Sequence, residues 1–131
     1  MSFHVIFLVD GGKPDGYEVV ASKLAFAQAR DEKGRPSSEV FGSMIALRIV
    51  STDDKALIEW MLEGTDRRNG KIQYFRNDQD SVFKEVSFTN AYCLNFKDSF
   101  NPGERQGSFV TDVYISPEST IIQGVTHTNQ W

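Results

Sequence analysis

The chain has 131 residues, of which 40% are hydrophobic and 24% are charged, and its formal net charge is −4 at pH 7. This length and composition fit a single globular domain, residues 1–131, with one core. The acidic balance disfavours nucleic-acid binding, and no apolar run is long enough to span a membrane. The single cysteine, Cys93, excludes an internal disulfide and suits a reducing cytoplasm. The apolar N-terminal stretch lacks a charged leader and a cleavage motif, so we expect no secretory signal peptide.

The N-terminal part begins with a predicted β-strand. Residues 3–9, FHVIFLV, are apolar on both faces except at His4, which is typical of a strand covered on both sides. Turn-forming residues follow at 10–16, DGGKPDG. The alanines of residues 17–29 favour a helix, but period-two alternation also fits a strand. Three apolar residues would share one face of that strand: Val20, Leu24 and Phe26.

A second strand leads into the one predicted helix. Residues 43–50, SMIALRIV, alternate and predict a strand with at least one buried face. The sequence STDDKALIEWMLEG then predicts a helix over about residues 53–63. Ser51 or Thr52 is expected to cap its first free N–H groups. The two aspartates that follow are expected in the first turn, where the helix dipole favours negative charge.

This helix is more apolar than a single sheet-facing stripe requires. Its apolar positions are Ala56, Leu57, Ile58, Trp60, Met61 and Leu62. The excess predicts that the helix touches something outside its own subunit. Trp60 and Met61 are the candidate residues for that subunit interface.

The second half of the chain reads as a series of short strands. They are KIQYF, VFKEVSF, AYCLNFK, SFVTDVYI and TIIQG, separated by turn sequences. Within AYCLNFK, Tyr92, Leu94 and Phe96 are expected on one face, with Cys93 on the more polar one. The adjacent Arg67 and Arg68 are interpreted as solvated side chains on a turn. Short strands at regular spacing with one helix predict a β-barrel or a sandwich.

Chemical motifs are missing from the sequence. The only histidines, His4 and His127, and the only thiol, Cys93, do not form the paired spacing of a zinc site. There is no nucleophile elbow, phosphate-binding glycine loop or metalloprotease motif. We therefore predict no catalytic residues, no cofactor and no metal. From the residues alone, a small ligand- or peptide-binding β-barrel stays open as a function.

Several motifs in order resemble one protein family. GRPSS at 34–38, the strand through residues 45–49, STDD at 51–54 and KEVSFTNAYC at 84–93 resemble the Bacteroidetes form of the type VI secretion tube protein, the TssD or Hcp family. The resemblance implies a small antiparallel β-barrel with one flanking helix, and a strand at residues 17–29. It further implies hexameric rings that stack into a tube, with sheath, spike and effector proteins as partners. Such a tube assembles in the cytoplasm and is exported without a signal peptide.

The resemblance also assigns a role to the polar segment RDEKGRPSSEVFG. In tube proteins of this fold, a long loop between the second and third strands contacts the next ring. The residues expected in that inter-ring loop are Asp31, Glu32, Lys33, Gly34, Arg35, Pro36, Ser37, Ser38 and Glu39. Pro36 restricts the backbone at the centre of the loop, which lowers the entropy lost on docking. Arg35 is expected to make the main contact, since its planar fork can pair with a carboxylate or with carbonyl groups.

Overall fold

Antiparallel strand pairing organises the molecule. The computed structural model describes residues 3–27, 41–76, 82–102, 108–123 and 125–128. In chain order the elements are β1 (Phe3–Val9), β2 (Tyr17–Ala27), β3 (Phe41–Val50), α1 (Ala56–Leu62), β4 (Arg68–Arg76), β5 (Val82–Asn101), β6 (Ser108–Ser116), β7 (Ser119–Ile122) and β8 (Val125–Thr128). Across these ranges, no helix is both long and apolar enough to cross a membrane. The predicted mainly β fold with one helix is confirmed.

Six of the strands close into an antiparallel barrel. The order around it is β4–β1–β2–β3–β6–β5, and β5 pairs again with β4. β7 and β8 extend outward from the first half of β5. Inward-facing side chains fill the barrel with one core, whose largest fully buried members include Trp60, Tyr17, Phe7, Phe88, Ile45, Ile49, Ile72 and Ile115.

β5 changes partners at a bend in its middle. Residues 82–91 pair with β4, whereas Tyr92–Asn101 pair with β6. Asn90, at the boundary, has φ 48°, a left-handed conformation that asparagine tolerates better than most residues. Its backbone N–H donates to the side-chain Oδ1 of Asn69 at 2.9 Å. Beyond this point β5 forms, with β2, β3 and β6, the part of the barrel that is called the four-stranded sheet below.

The ambiguous segment after the first turn is a strand, β2. Tyr17 and Val19 face the core, but a β-bulge follows, and beyond it Leu24 is the part-buried residue. A bulge shifts the alternation by one position, so the prediction that Val20 shares a face with Leu24 is wrong. Val20 is exposed. Pairing along β3 overrides the helix propensity of the alanines.

The helix is shorter than predicted and is capped differently. It begins at Ala56 rather than near residue 53, and the two aspartates precede it. The Ser51 N–H instead donates to the Phe109 carbonyl and prolongs the pairing of β3 with β6. The Asp54 carboxylate accepts hydrogen bonds from the Ala56 N–H at 2.9 Å and from the Tyr17 hydroxyl at 2.6 Å. Asp54 thus ties the start of α1 to the barrel.

Candidate assembly surfaces

The predicted inter-ring segment, residues 31–39, lies outside the described residues. The strands that it joins are neighbours, since Ala27 at the end of β2 pairs with Phe41 at the start of β3. β3 then runs to Val50, from which the chain leads into α1. The inter-ring segment and the connection to α1 therefore leave β3 at opposite ends.

Of the two predicted interface residues on α1, Trp60 lies inside its own subunit. Its side chain is 1% exposed, and its indole Nε1 donates to the carbonyls of Asp66 and Ala91 at 3.0 and 3.1 Å. Met61 is partly buried against the core, whereas Leu62 is 77% exposed. Trp60 therefore has almost no surface to offer a neighbour. A contact between α1 and another subunit stays a prediction for Met61 and would include Leu62.

The prediction of two solvated arginines is wrong for Arg68. Its guanidinium is mostly buried and donates to the Asp66 carboxylate at 2.8 and 3.1 Å. It also donates to the carbonyls of Asp10 and Ala56, and it lies 5.8 Å from the centre of the Trp60 ring. Arg68, at the start of β4, thus connects this strand to α1 and to the first turn. These contacts tie α1 to the strands at its end of the barrel.

The four-stranded sheet has two edges that lack backbone partners within the described part of the chain. β1 pairs with β2 only through Ile6 with Glu18 and Phe7 with Tyr17, so residues 19–27 pair with β3 alone. Farther along β2 a side-chain contact bridges the gap to the rest of the barrel: the hydroxyl oxygens of Ser22 and Tyr74 lie 2.8 Å apart.

The second free edge belongs to β5. Residues 92–101 pair with β6 on one side and have no strand on the other within the described residues. Each edge strand has a β-bulge with an exposed apolar side chain: Val20 on β2 and Leu94 on β5 are both 52% exposed. Unpaired strand edges are templates for pairing with another chain.

The bulge in β5 overturns the predicted alternation of AYCLNFK. Cys93 is 8% exposed and faces the core, whereas Leu94 points outward. The register shift between Cys93 and Asn95 is the cause, and a bulge leaves no reliable mark in a short apolar run. The free edges could not be predicted from the sequence either, because they depend on which distant strands pair with each other.

The outward face of the four-stranded sheet is concave. It contains a pocket of about 450 Å³, lined by Ala21, Ser22, Lys23, Ala46, Leu47, Arg48, Asn95, Lys97, Asp112, Val113 and Tyr114. Arg48 Nε donates to the Asp112 carboxylate at 2.9 Å and its terminal nitrogen donates at 3.4 Å. The small side chains of Ala21 on β2 and Ala46 on β3 leave room for this depression above the sheet. This surface is called the concave face below.

A second exposed apolar feature lies at the far end of the β5–β6 pair. Phe100 and Phe109 are cross-strand partners with ring centres 5.7 Å apart, and they are 59% and 50% exposed. The Phe109 carbonyl accepts the Ser51 N–H, which places the pair beside the chain leading into α1. This aromatic pair lies beside the Val50 end of β3, opposite the Phe41 end.

The single thiol is in a structural setting. Cys93 Sγ donates to the Asn95 carbonyl at 3.5 Å, and burial raises the pKa of the thiol to about 11. A raised pKa disfavours the thiolate that a nucleophile or metal ligand requires. Among the described residues, no group of three histidine, cysteine or acidic side chains is placed to hold a metal ion.

The Cys93 thiol should make stability fall at high pH. Its pKa is higher in the folded chain than the ordinary value of 9.0, so folding disfavours its ionisation. The associated stability is therefore complete below about pH 9 and is lost as the pH rises towards 11. We expect Cys93→Ser to flatten the fall by at most about 1.4 kcal/mol per pH unit in this window. Urea unfolding at several pH values measures it, and parallel curves for both proteins would contradict it.

Comparisons with known proteins agree with this fold. The family model described as Hemolysin coregulated protein Hcp (TssD) matches residues 1–131. No curated protein matches the chain. Among solved structures, Hcp1 from Flavobacterium johnsoniae is similar with 27% identity and a TM-score of 0.86, covering 96% of this chain and 99% of that one.

More distant structures share the fold. An Hcp protein crystal structure has 11% identity and a TM-score of 0.80, covering 99% of this chain and 98% of that one. A chain of the sheath-tube complex of the extracellular contractile injection system PVC has 17% identity and a TM-score of 0.56, covering 94% and 88%. The family match spans the whole chain, and the barrel, the single helix and the strand at residues 17–27 are those expected of it. The chain therefore belongs to the Hcp (TssD) family, the structural tube proteins of type VI secretion systems.

Proposed function

We propose that copies of this chain close into a hexameric ring by joining the free β5 edge of one subunit to the free β2 edge of the next. The observation that carries the proposal is the pair of unpaired edges on the four-stranded sheet. Each edge is about 30 Å long at ~3.3 Å per residue, so the two match in length. A contact between two different edges is heterologous, and such a contact builds a ring when its rotation closes.

Strand direction supports the same joint. Every pairing between neighbours in the four-stranded sheet is antiparallel, so its two outermost strands run in opposite directions. Subunits related by rotation about an axis along the strands keep a common orientation. β5 of one subunit and β2 of the next then meet antiparallel, and the sheet continues from subunit to subunit in its own pattern.

The proposed ring has the concave face towards its channel. The barrel core, α1 and the remaining strands lie on the other side of the four-stranded sheet, where a larger radius gives them room. A surface that is already concave fits the inner wall of a cylinder better than the outer one. The concave face is therefore the proposed lining of the tube.

The first test is the mass of the purified chain. Light scattering at tens of micromolar, with negative-stain imaging, should give a ring-sized particle with a central hole. A monomer under these conditions would contradict the ring. A dimer would contradict the edge arrangement, because two different edges that join head to side leave an edge open in a dimer.

We further propose that the rings stack and that the segment of residues 31–39 makes the contact. The strand ends that it connects, Ala27 and Phe41, pair with each other at one end of β3, and the exposed pair Phe100–Phe109 lies beside the other end. Stacking by translation along the strands brings these opposite ends of successive subunits together. Sheath and spike proteins of the secretion system are the proposed further partners, with effectors carried by the tube. Assembly in the cytoplasm and export with the tube belong to the same proposal.

No second function is favoured by the geometry. A ligand-binding barrel needs an internal cavity, but inward-facing apolar side chains fill this one. In the pocket beside α1 the Thr111 hydroxyl donates to the Asp98 carboxylate at 2.6 Å, but neither a histidine nor a cysteine lines that pocket. We propose that the chain has no enzymatic activity of its own.

Arg35→Ala should weaken stacking without affecting folding. A polar substitution in a loop changes the free energy of unfolding by within about 0.5 kcal/mol, so the thermal midpoint and ring mass should match the parent. Tube length in electron micrographs should fall, because every ring repeats the missing contact. Lys33→Ala is the matched control, since it removes a charge from the same segment but not the planar fork. Early unfolding with normal stacking would assign the segment to the fold instead.

A further inference from the structure

The concave face has a charge balance opposite to that of the whole chain. Three cationic residues, Lys23, Arg48 and Lys97, line its pocket, with one acidic residue, Asp112. The full chain has a formal net charge of −4. Glu18 is exposed at the start of β2 and lies outside this pocket. Acidic side chains are thus concentrated elsewhere, and the centre of the concave face is electropositive.

The only described acidic residue that lines this pocket pairs with the arginine, so its charge does not neutralise the two lysines. Asp112 accepts two hydrogen bonds from Arg48, which compensates its charge. Lys23 and Lys97 are both exposed, and neither forms an ion pair with another described residue. They lie on the two outer strands, β2 and β5, on either side of the Arg48–Asp112 pair. An anion on the face therefore meets positive charge at both margins.

We propose that the concave face binds acidic cargo, meaning a polypeptide with a carboxylate-rich surface, along the channel of the ring. The inference rests on the proposed function, because the face lines a channel only in the closed ring. Each subunit adds the same excess positive charge, and a narrow channel with walls of low dielectric concentrates the resulting field. Tyr114, 45% exposed in the middle of the face, adds a hydroxyl and a flat ring for contact.

Ion pairs between exposed side chains would also allow the cargo to dissociate. Single ion pairs between exposed side chains are weak and are screened by salt. Many such pairs around a channel hold an acidic chain together, yet no single contact prevents its release. The binding should therefore be strongly salt-dependent and should not require a particular sequence.

The test uses purified rings, verified by light scattering, and two fluorescein-labelled peptides, deca-glutamate and deca-lysine. Fluorescence anisotropy should detect binding of deca-glutamate to the parent ring at low salt and its loss at high salt. The double variant Lys23→Glu with Lys97→Glu should bind at least about tenfold more weakly, since it replaces attraction by repulsion at both margins. Lys55→Glu, an equal charge reversal per site at the exposed cap of α1, should bind like the parent.

Equal affinity of the parent and the double variant for deca-glutamate would overturn the inference, as would equal binding of deca-lysine by the parent. If the double variant does not form rings, Lys23→Gln with Lys97→Gln removes the charges without adding repulsion, and the same comparison decides. A parent that forms no ring refutes the proposed function. A parent ring that does not bind deca-glutamate refutes only the acidic cargo.

Discussion

Replacing Trp60 with alanine is expected to destabilise the subunit by about 3–5 kcal/mol, the usual cost of removing a large buried aromatic side chain. Trp60 is 1% exposed and is the largest fully buried side chain among the residues that the structure describes. Its removal also takes the indole N–H from the carbonyls of Asp66, in the connection from α1 to β4, and Ala91, in β5. Urea unfolding followed by circular dichroism, at one fixed protein concentration, gives the free energy of unfolding.

The same helix supplies the control for Trp60. Leu62 is 77% exposed, so Leu62→Ala should change the free energy of unfolding by within about 0.5 kcal/mol. If Trp60→Ala dissociates the ring but leaves the subunit as stable as the parent, Trp60 serves an interface rather than the core. Loss of the ring in Leu62→Ala or Met61→Ala, with the subunit still folded, would support a neighbour contact through α1.

Glutamate at either free edge is expected to abolish the ring while the subunit stays folded. Val20 and Leu94 are 52% exposed and lie at bulges on the two edge strands. In the proposed joint the neighbouring strand covers these two apolar side chains, so a charge in their place would be stripped of water, whereas Lys23 and Lys97 on the same strands keep their charges in the open channel. Since both side chains are exposed in the single subunit, the unfolding free energy should change by within about 0.5 kcal/mol. Light scattering should then report monomers for Val20→Glu and for Leu94→Glu.

Mixing these edge variants makes the test sharper. In the proposed joint each variant retains one intact edge, so Val20→Glu and Leu94→Glu should form a heterodimer when mixed, through the β5 edge of the first and the β2 edge of the second. A heterodimer that appears only in the mixture supports an asymmetric joint. Lys55→Glu controls for a change in net charge and should keep the ring. A ring that survives both edge substitutions would refute the edge contact.

β2 and β5 show which features a local sequence pattern predicts and which it does not. Strand segments were predictable because alternation reports a buried face, and the helix was predictable from its apolar density and acidic start. The bulges at Val20 and Leu94 were not, because one inserted residue reverses the faces while the local composition stays the same. Cys93 and Leu94 were therefore assigned to each other's side of the strand.

The candidate assembly surfaces also include features that the sequence predicted and features that it did not. The family, and with it the expectation of a tube, followed from motifs in sequence order, and the full-length family match confirms the family. The inter-ring segment remains a prediction from that resemblance. The free edges and the electropositive face had no local signal, because each combines residues from strands far apart in the chain. Lys23 and Lys97, for example, are 74 positions apart (97 − 23) yet line one pocket.

The sequence by itself determined that this chain is mainly β with one helix and a moderately acidic charge, since composition and periodicity report burial directly. It did not determine which face Val20 and Leu94 occupy, that Trp60 lies inside the subunit, or that Arg68 is held by α1 and the first turn. Those features were decided by tertiary structure. Near Asn90, β5 changes its partner from β4 to β6, and the partners on each side of a strand decide which strand edges stay unpaired and which faces stay exposed.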